Sequence, residues 1–167
     1  MNTFLKGFHL VALAIFLGSI PGHILLGAMG DPARDLEGFA VLMQAKQMNV
    51  QWLTVPGLVI TLLSGLTLMV RRGIKPTRNR WLAAKLALVV LVALNGALIL
   101  GPLSREMATM AQHAVQAGAL PSAFATLEGR EAIFGAVNLA MILTIIGLVV
   151  AKPALRRANG PSAGIPQ

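Results

Sequence analysis

Four long apolar blocks, separated by polar connections, dominate the pattern of residues along this 167-residue chain. The blocks cover residues 4–29, 52–70, 81–103 and 132–151, and each is about long enough to cross the roughly 30 Å hydrocarbon core of a bilayer. A helix satisfies its backbone hydrogen bonds within a single segment, as lipid requires. The pattern therefore predicts an all-α fold: an integral membrane four-helix bundle over residues 1–153, followed by a disordered cytoplasmic tail at 154–167.

The connections carry patterns of their own. Apolar residues between Leu36 and Met43 recur at the spacing of one helix face, so we expect a helix that extends the second span. Residues 104–131 predict a helical extension of the third span, a turn at 118–121 and a further helix. The connection at 71–80 is short and predicts that the second and third spans form a tight antiparallel hairpin.

Composition supports a membrane protein and excludes several kinds of site. The chain is 56% hydrophobic and only 12% charged, with a mean hydropathy of +0.73. A soluble domain carries roughly twice that charged fraction. The sequence contains no cysteine, which excludes disulfides, iron–sulfur clusters, thiolate metal sites and covalently attached c-type haem.

The net charge of +8 is concentrated near one side of the predicted bundle. The stretch RRGIKPTRNR at 71–80 holds five basic and no acidic residues, whereas the two longer connections mix both signs. By the positive-inside rule, this stretch and both termini are cytoplasmic, in a bacterial inner membrane. The predicted partner is therefore the lipid bilayer rather than nucleic acid. The small residues Gly18 and Gly22 also favour close helix packing, either within the chain or in a homodimer.

Polar side chains inside the apolar blocks are the first candidates for function, because burying them in lipid is costly. His9 and Lys85 lie at similar depth, near the same end of the first and third blocks. An imidazole can ligate haem iron, and a neighbouring ammonium can pair with a haem propionate or a substrate carboxylate. The pair suits a b-type haem (haem b) protein, with Lys85 as a cofactor-binding or catalytic residue. Lys85 is also close enough to the interface to anchor its span by snorkelling.

A second candidate group contains His23. It lies fourteen residues after His9, on the same helix face and about 21 Å farther along the axis. Beyond the third block, methionine and histidine recur at Met107, Met110 and His113. Thioethers and imidazoles suit Cu(I), so a copper-binding or copper-transport protein using these four residues is an alternative. Methionines at this spacing also fill helical cores, and a third alternative is a cofactor-free bundle that acts through partners.

Four stretches of the sequence, in the same order, resemble the HemJ-type protoporphyrinogen oxidases and, more loosely, the CopD-type copper-resistance membrane proteins. The stretches are Lys6-x-x-His9 followed by Gly18 and Pro21, PGLVITLLSGLTLM with Pro56, Thr61 and Gly65, WLAAK from Trp81 to Lys85, and VVAKP from Val149 to Pro153. Together they cover most of residues 4–153. The chain thus resembles a divergent member of this superfamily of four-span bacterial proteins.

The resemblance implies a b-type haem on His9, a functional lysine at Lys85, and redox or porphyrin-related oxidoreductase chemistry. Three positions depart from the family pattern. A Pro-Arg pair of the first span is Pro21-Gly22 here, a histidine late in the third span is Asn95, and a glutamate near the start of the last span falls at Ala136. Asn95 or a second chain would then complete the haem site.

Overall fold

The computed structural model describes residues 3–71, 73 and 80–158, and every regular element in these residues is helical. The α-helices are α1 (Thr3–Ala28), α2 (Leu36–Asn49), α3 (Val55–Arg71), α4 (Arg80–Asn95), α5 (Gly101–Ala117) and α6 (Ala123–Ala158). Two π-helical turns join consecutive helices without a break: Val50–Thr54 between α2 and α3, and Gly96–Leu100 between α4 and α5. The predicted all-α fold is confirmed.

Four continuous helical rods are long and apolar enough to span a membrane: Thr3–Ala28, Leu36–Arg71, Leu82–Ala117 and Ala123–Ala151. The second and third rods contain 36 residues each, which at about 1.5 Å per residue exceeds a bilayer core of roughly 30 Å. Their surplus, α2 and α5, forms what we call the extension end of the bundle, together with the start of α6. The opposite end, where α1 and α4 begin, is called the basic end. The four-helix membrane bundle predicted from the apolar blocks is confirmed.

Apolar side chains of α2, α5 and α6 form the core of the extension end. Phe39 and Phe124 pack edge to face, with ring centroids 5.4 Å apart. Met43, Met107 and Ala111 are buried beside them. Because these side chains are removed from both water and lipid, this end of the bundle is held together like the core of a soluble protein.

Helix pairing in the membrane differs from the predicted hairpin. α3 packs against α1, and α4 packs against α6, whereas α3 and α4 make no extensive contact with each other in the described part of the chain. Gly57 explains the first pairing: a Cβ at this position would lie 3.0 Å from the backbone nitrogen of Phe16. Phe16 in turn packs with Val92 and Ile142, which brings α1, α4 and α6 together. The hairpin prediction was wrong because a short connection constrains only the ends of two helices, not the faces that they bury.

Parts of two predicted segments lie outside the described residues. In the basic connection these are residues 72 and 74–79. In the tail expected at 154–167, the backbone continues α6 as far as Ala158, and residues 159–167 are not among those described.

Candidate functional site

The first polar cluster surrounds His9, near the basic end of α1. The Nδ1 atom of His9 lies 2.8 Å from the hydroxyl oxygen of Ser64 on α3. That hydroxyl donates its hydrogen to the carbonyl oxygen of Ile60, 2.6 Å away, so its oxygen accepts from the imidazole. We therefore assign the ring proton to Nδ1, which leaves a lone pair on Nε2.

Two further residues belong to the surroundings of His9. Lys85 on α4 is close enough to interact electrostatically with the imidazole. Gly65 on α3 lies against the ring, where a Cβ would be 3.1 Å from Cε1 of His9. His9 and Lys85 thus lie on different spans within electrostatic range of each other, and the structure adds Ser64 as a direct contact of His9, a residue that the sequence did not single out.

Asn95 lies apart from this cluster. It is ten residues beyond Lys85, about 15 Å farther along the helix. Its Nδ2 donates to the carbonyl oxygen of Phe134 on α6 at 3.0 Å. Its Oδ1 is buried without a hydrogen-bond partner among the described residues, as is Oδ1 of Asn138. Asn95 therefore joins α4 to α6 just before a π-helical turn, instead of contacting the surroundings of His9.

The second polar cluster joins His23 of α1, Lys46 of α2 and Glu131 of α6. Nε2 of His23 lies 3.1 Å from Oε1 of Glu131, and the Lys46 ammonium contacts the other carboxylate oxygen, Oε2. Lys46 and Glu131 are only 6% and 8% exposed. A Cβ at Gly27 would lie 3.3 Å from Nζ of Lys46, so the lack of a side chain at Gly27 leaves space for the ammonium. Burying such charges is tolerated only when they are paired, so the three side chains act as a unit.

A separate group of hydrogen bonds joins α1 to the end of α2 and the first π-helical turn, between this cluster and the middle of the membrane. Nδ2 of Asn49 donates to the carbonyl oxygen of Ser19 at 2.9 Å. The Thr54 hydroxyl donates to the Ser19 hydroxyl at 2.8 Å, and the Ser19 hydroxyl donates to the carbonyl oxygen of Phe16 at 2.7 Å. Thr54 belongs to the first π-helical turn. The turn therefore contributes a polar contact to α1 at membrane depth.

Sequence reasoning missed Lys46 and Glu131, because both belong to the longer connections of mixed charge, where charged side chains are usually solvated. A signal was nevertheless present in the helical spacing. Lys46 lies three residues after Met43, and Glu131 lies four residues after Leu127. These spacings place each charge on the helix face that its apolar neighbour buries.

The residues of the copper alternative lie in different surroundings. Met107 is buried in the core of the extension end, and His23 faces Glu131. Met110 and His113 line a groove beside α5. Across the described residues, no group of three or more His, Asp or Glu side chains is arranged to hold a metal ion.

Comparisons with known proteins bear on the family alone. Neither the curated proteins nor the solved structures include a match to the chain. A family model described as "predicted integral membrane protein (DUF2269)" matches residues 3–153. That range contains all four membrane-spanning rods and both polar clusters. The chain therefore belongs to the DUF2269 family of predicted integral membrane proteins.

Proposed function

We propose that the protein is an integral membrane b-type haem protein with redox or porphyrin-related chemistry, and that His9 is the protein ligand of the iron. The observation that supports this proposal most is the hydrogen bond between His9 and Ser64. Ligating histidines usually donate one ring N–H to a neighbouring oxygen, which orients the ring and makes the other nitrogen more basic. In His9 the other nitrogen is Nε2, which carries the lone pair that a haem iron needs.

The neighbours of His9 fit a haem in two further respects. Lys85 brings a positive charge within electrostatic range of the imidazole, and an ammonium can pair with a haem propionate or with a carboxylate of a porphyrin substrate. Gly65 places no side chain beside Cε1 of the ring. A bound haem would supply one-electron chemistry. Ser64 would hold the imidazole in one orientation, and Lys85 would hold the carboxylate.

Apolar packing separates this site from the polar groups near the extension end. The buried cluster of Phe16, Val92 and Ile142 lies farther along α1 than His9 and before the group of hydrogen bonds that includes Ser19. Where the bilayer rather than water surrounds the half-buried His9 and Lys85, a pair of charges would interact more strongly than in water. Pairing of Lys85 with a carboxylate would therefore contribute substantially to holding a haem.

We further propose that the basic end faces the cytoplasm of a bacterium. The five basic residues at 71–80 support this orientation, because short cytoplasmic loops are enriched in lysine and arginine. His9 then lies in the cytoplasmic half of the inner membrane. The chain crosses this membrane four times.

Spectroscopy of the full chain, purified in detergent, tests the haem proposal. We expect a Soret band and a b-type pyridine haemochrome spectrum, with iron in the elemental analysis. His9→Ala should abolish or strongly shift the Soret band, because the protein bond to the iron is lost. His113→Ala is the matched control: it removes an exposed imidazole at the extension end and should leave the band unchanged.

Two outcomes would overturn the proposal. Bound copper without a Soret band would instead support the copper-binding alternative. Protein that carries neither haem nor copper would support a bundle that acts through partners.

A further inference from the structure

A groove of about 840 Å³ lies between the second and third helical rods, where the spans pass into the extension end. Both π-helical turns contribute to its lining, through Val50 and Gln51 from the first and Gly96 and Ala97 from the second. Such turns are rare, and they occur frequently at functional sites. Neither polar cluster described above contributes a residue to this lining, so the groove is a separate site.

The two rods diverge on the membrane side of the groove. α2 packs against α5 at the extension end, but α3 packs against α1 and α4 against α6. The lining on this side is apolar and includes Val55 and Ala97. An apolar chain lying in the groove can therefore continue into the bilayer between α3 and α4.

The opposite end of the groove is charged. Arg105, Glu106 and His113 of α5 line it, and all three are exposed. Within the part of the chain that the structure describes, neither Arg105 nor Glu106 forms a salt bridge with another residue. One cation and one anion are therefore available to the same ligand.

We infer that this groove binds a phospholipid with an ethanolamine headgroup. The phosphate pairs with the guanidinium of Arg105, which suits phosphate oxygens geometrically. The ammonium of the headgroup pairs with the carboxylate of Glu106. One acyl chain follows the apolar end of the groove between α3 and α4. This inference is independent of the haem proposal, because it uses no residue of the His9 cluster.

The charges of the groove favour this headgroup over other amphiphiles. An anionic phospholipid would leave Glu106 without a cation and facing a like charge. An uncharged quinone would leave both charges unpaired. A choline headgroup has the right charge, but its methylated nitrogen cannot donate a hydrogen bond, whereas the ammonium of ethanolamine has three N–H donors. The expected order of affinity is ethanolamine, then choline, then glycerol.

Native mass spectrometry of the delipidated full chain in detergent tests the order. The probes are dioleoyl phosphatidylethanolamine, phosphatidylcholine and phosphatidylglycerol, which differ only in their headgroups. We expect phosphatidylethanolamine to bind about 1.5- to fivefold more tightly than phosphatidylglycerol, the range typical of an exposed charge pair. Glu106→Gln should abolish this preference, and Arg105→Gln should weaken the binding of all three lipids.

Matched controls are Glu128→Gln and Arg130→Gln, which change exposed charges at the extension end outside this groove. Both should bind the lipids as the unmodified chain does. Equal affinity for the three lipids in the unmodified chain, or an unchanged preference in Glu106→Gln, would overturn the inference. Displacement of phosphatidylethanolamine by an equimolar soluble quinone would also overturn it, since an uncharged ring should not compete for these charges.

Discussion

Replacement of Lys46 by methionine tests whether the buried cluster of His23, Lys46 and Glu131 holds three helices together. Methionine keeps an unbranched apolar side chain but removes the ammonium that contacts Glu131. Glu131, 8% exposed, would then keep His23 as its remaining partner in the cluster. Removing one member of a buried ion pair typically costs about 3–5 kcal/mol. We expect the free energy of unfolding to fall by about that amount.

The double variant Lys46→Met/Glu131→Gln distinguishes two causes of instability: the lost attraction between the Lys46 ammonium and the Glu131 carboxylate, and the cost of burying that carboxylate without the ammonium. Glutamine retains an oxygen that accepts from Nε2 of His23, and the double variant buries no unpaired carboxylate or ammonium. We therefore expect it to be more stable than Lys46→Met alone. The cycle formed by the two single variants and the double variant should give a coupling energy of at least about 1 kcal/mol.

Unfolding in mixed micelles with increasing dodecyl sulfate, followed by circular dichroism, measures these free energies. Asp31→Asn is the control, because it breaks the exposed pair between Arg34 and Asp31, whose side chains are 3.2 Å apart. Such exposed pairs contribute at most about 1 kcal/mol. The reasoning is refuted if Lys46→Met is no more destabilising than Asp31→Asn, or if the two single effects in the cluster simply add.

Orientation, the His9 site and helix packing give the remaining predictions. A topology reporter inserted at Lys75 should be cytoplasmic and one at Gly118 periplasmic, because the basic residues surround Lys75; a periplasmic signal at Lys75 would reverse the orientation. Lys85→Met should lower haem retention at unchanged helix content, and Lys85→Arg should lower it less, because a propionate would lose a fitting cation. Full haem occupancy in both variants would reduce Lys85 to an interface anchor. Gly57→Ala should lower the free energy of unfolding by about 1–3 kcal/mol, since its Cβ would lie 3.0 Å from the Phe16 backbone nitrogen. An unchanged free energy of unfolding would show that α3 can shift away from α1 without destabilising the protein.

The four spans could be predicted because lipid constrains any helix that crosses it in both length and composition. The helical extension after Leu36 was also visible, since its apolar residues recur on one face that the core of the extension end buries. The two π-helical turns were not visible. Each continues its rod without a break, so neither the hydropathy nor a helix-terminating signal marks its position.

It was harder to predict which helices pack against each other than to predict where the helices lie in the sequence. Apolar residues cover most of each span, and hydropathy does not distinguish the face that meets lipid from the face that meets protein. The small residues Gly57 and Ser64 on α3 are buried, and they meet α1 through Phe16 and His9. Ser64 could not be recognised as a neighbour of His9 until this pairing was known.

Buried charges were missed for a related reason. A lysine or glutamate in a connection is usually solvated, so Lys46 and Glu131 counted toward the mixed charge of the two longer connections. Lys46 and Glu131 lie on different helices and are 85 residues apart in the sequence. Only the tertiary structure could reveal that the two charges meet.

Haem content in two histidine variants tests the central claim most directly. His9 and His23 lie on one face of α1, about 21 Å apart, but only His9 has the hydrogen bond to Ser64. The pyridine haemochrome assay should show that haem b is lost from purified His9→Ala and retained by His23→Gln. Haem retained in His9→Ala, or lost only from His23→Gln, would contradict the assignment of His9 as the iron ligand.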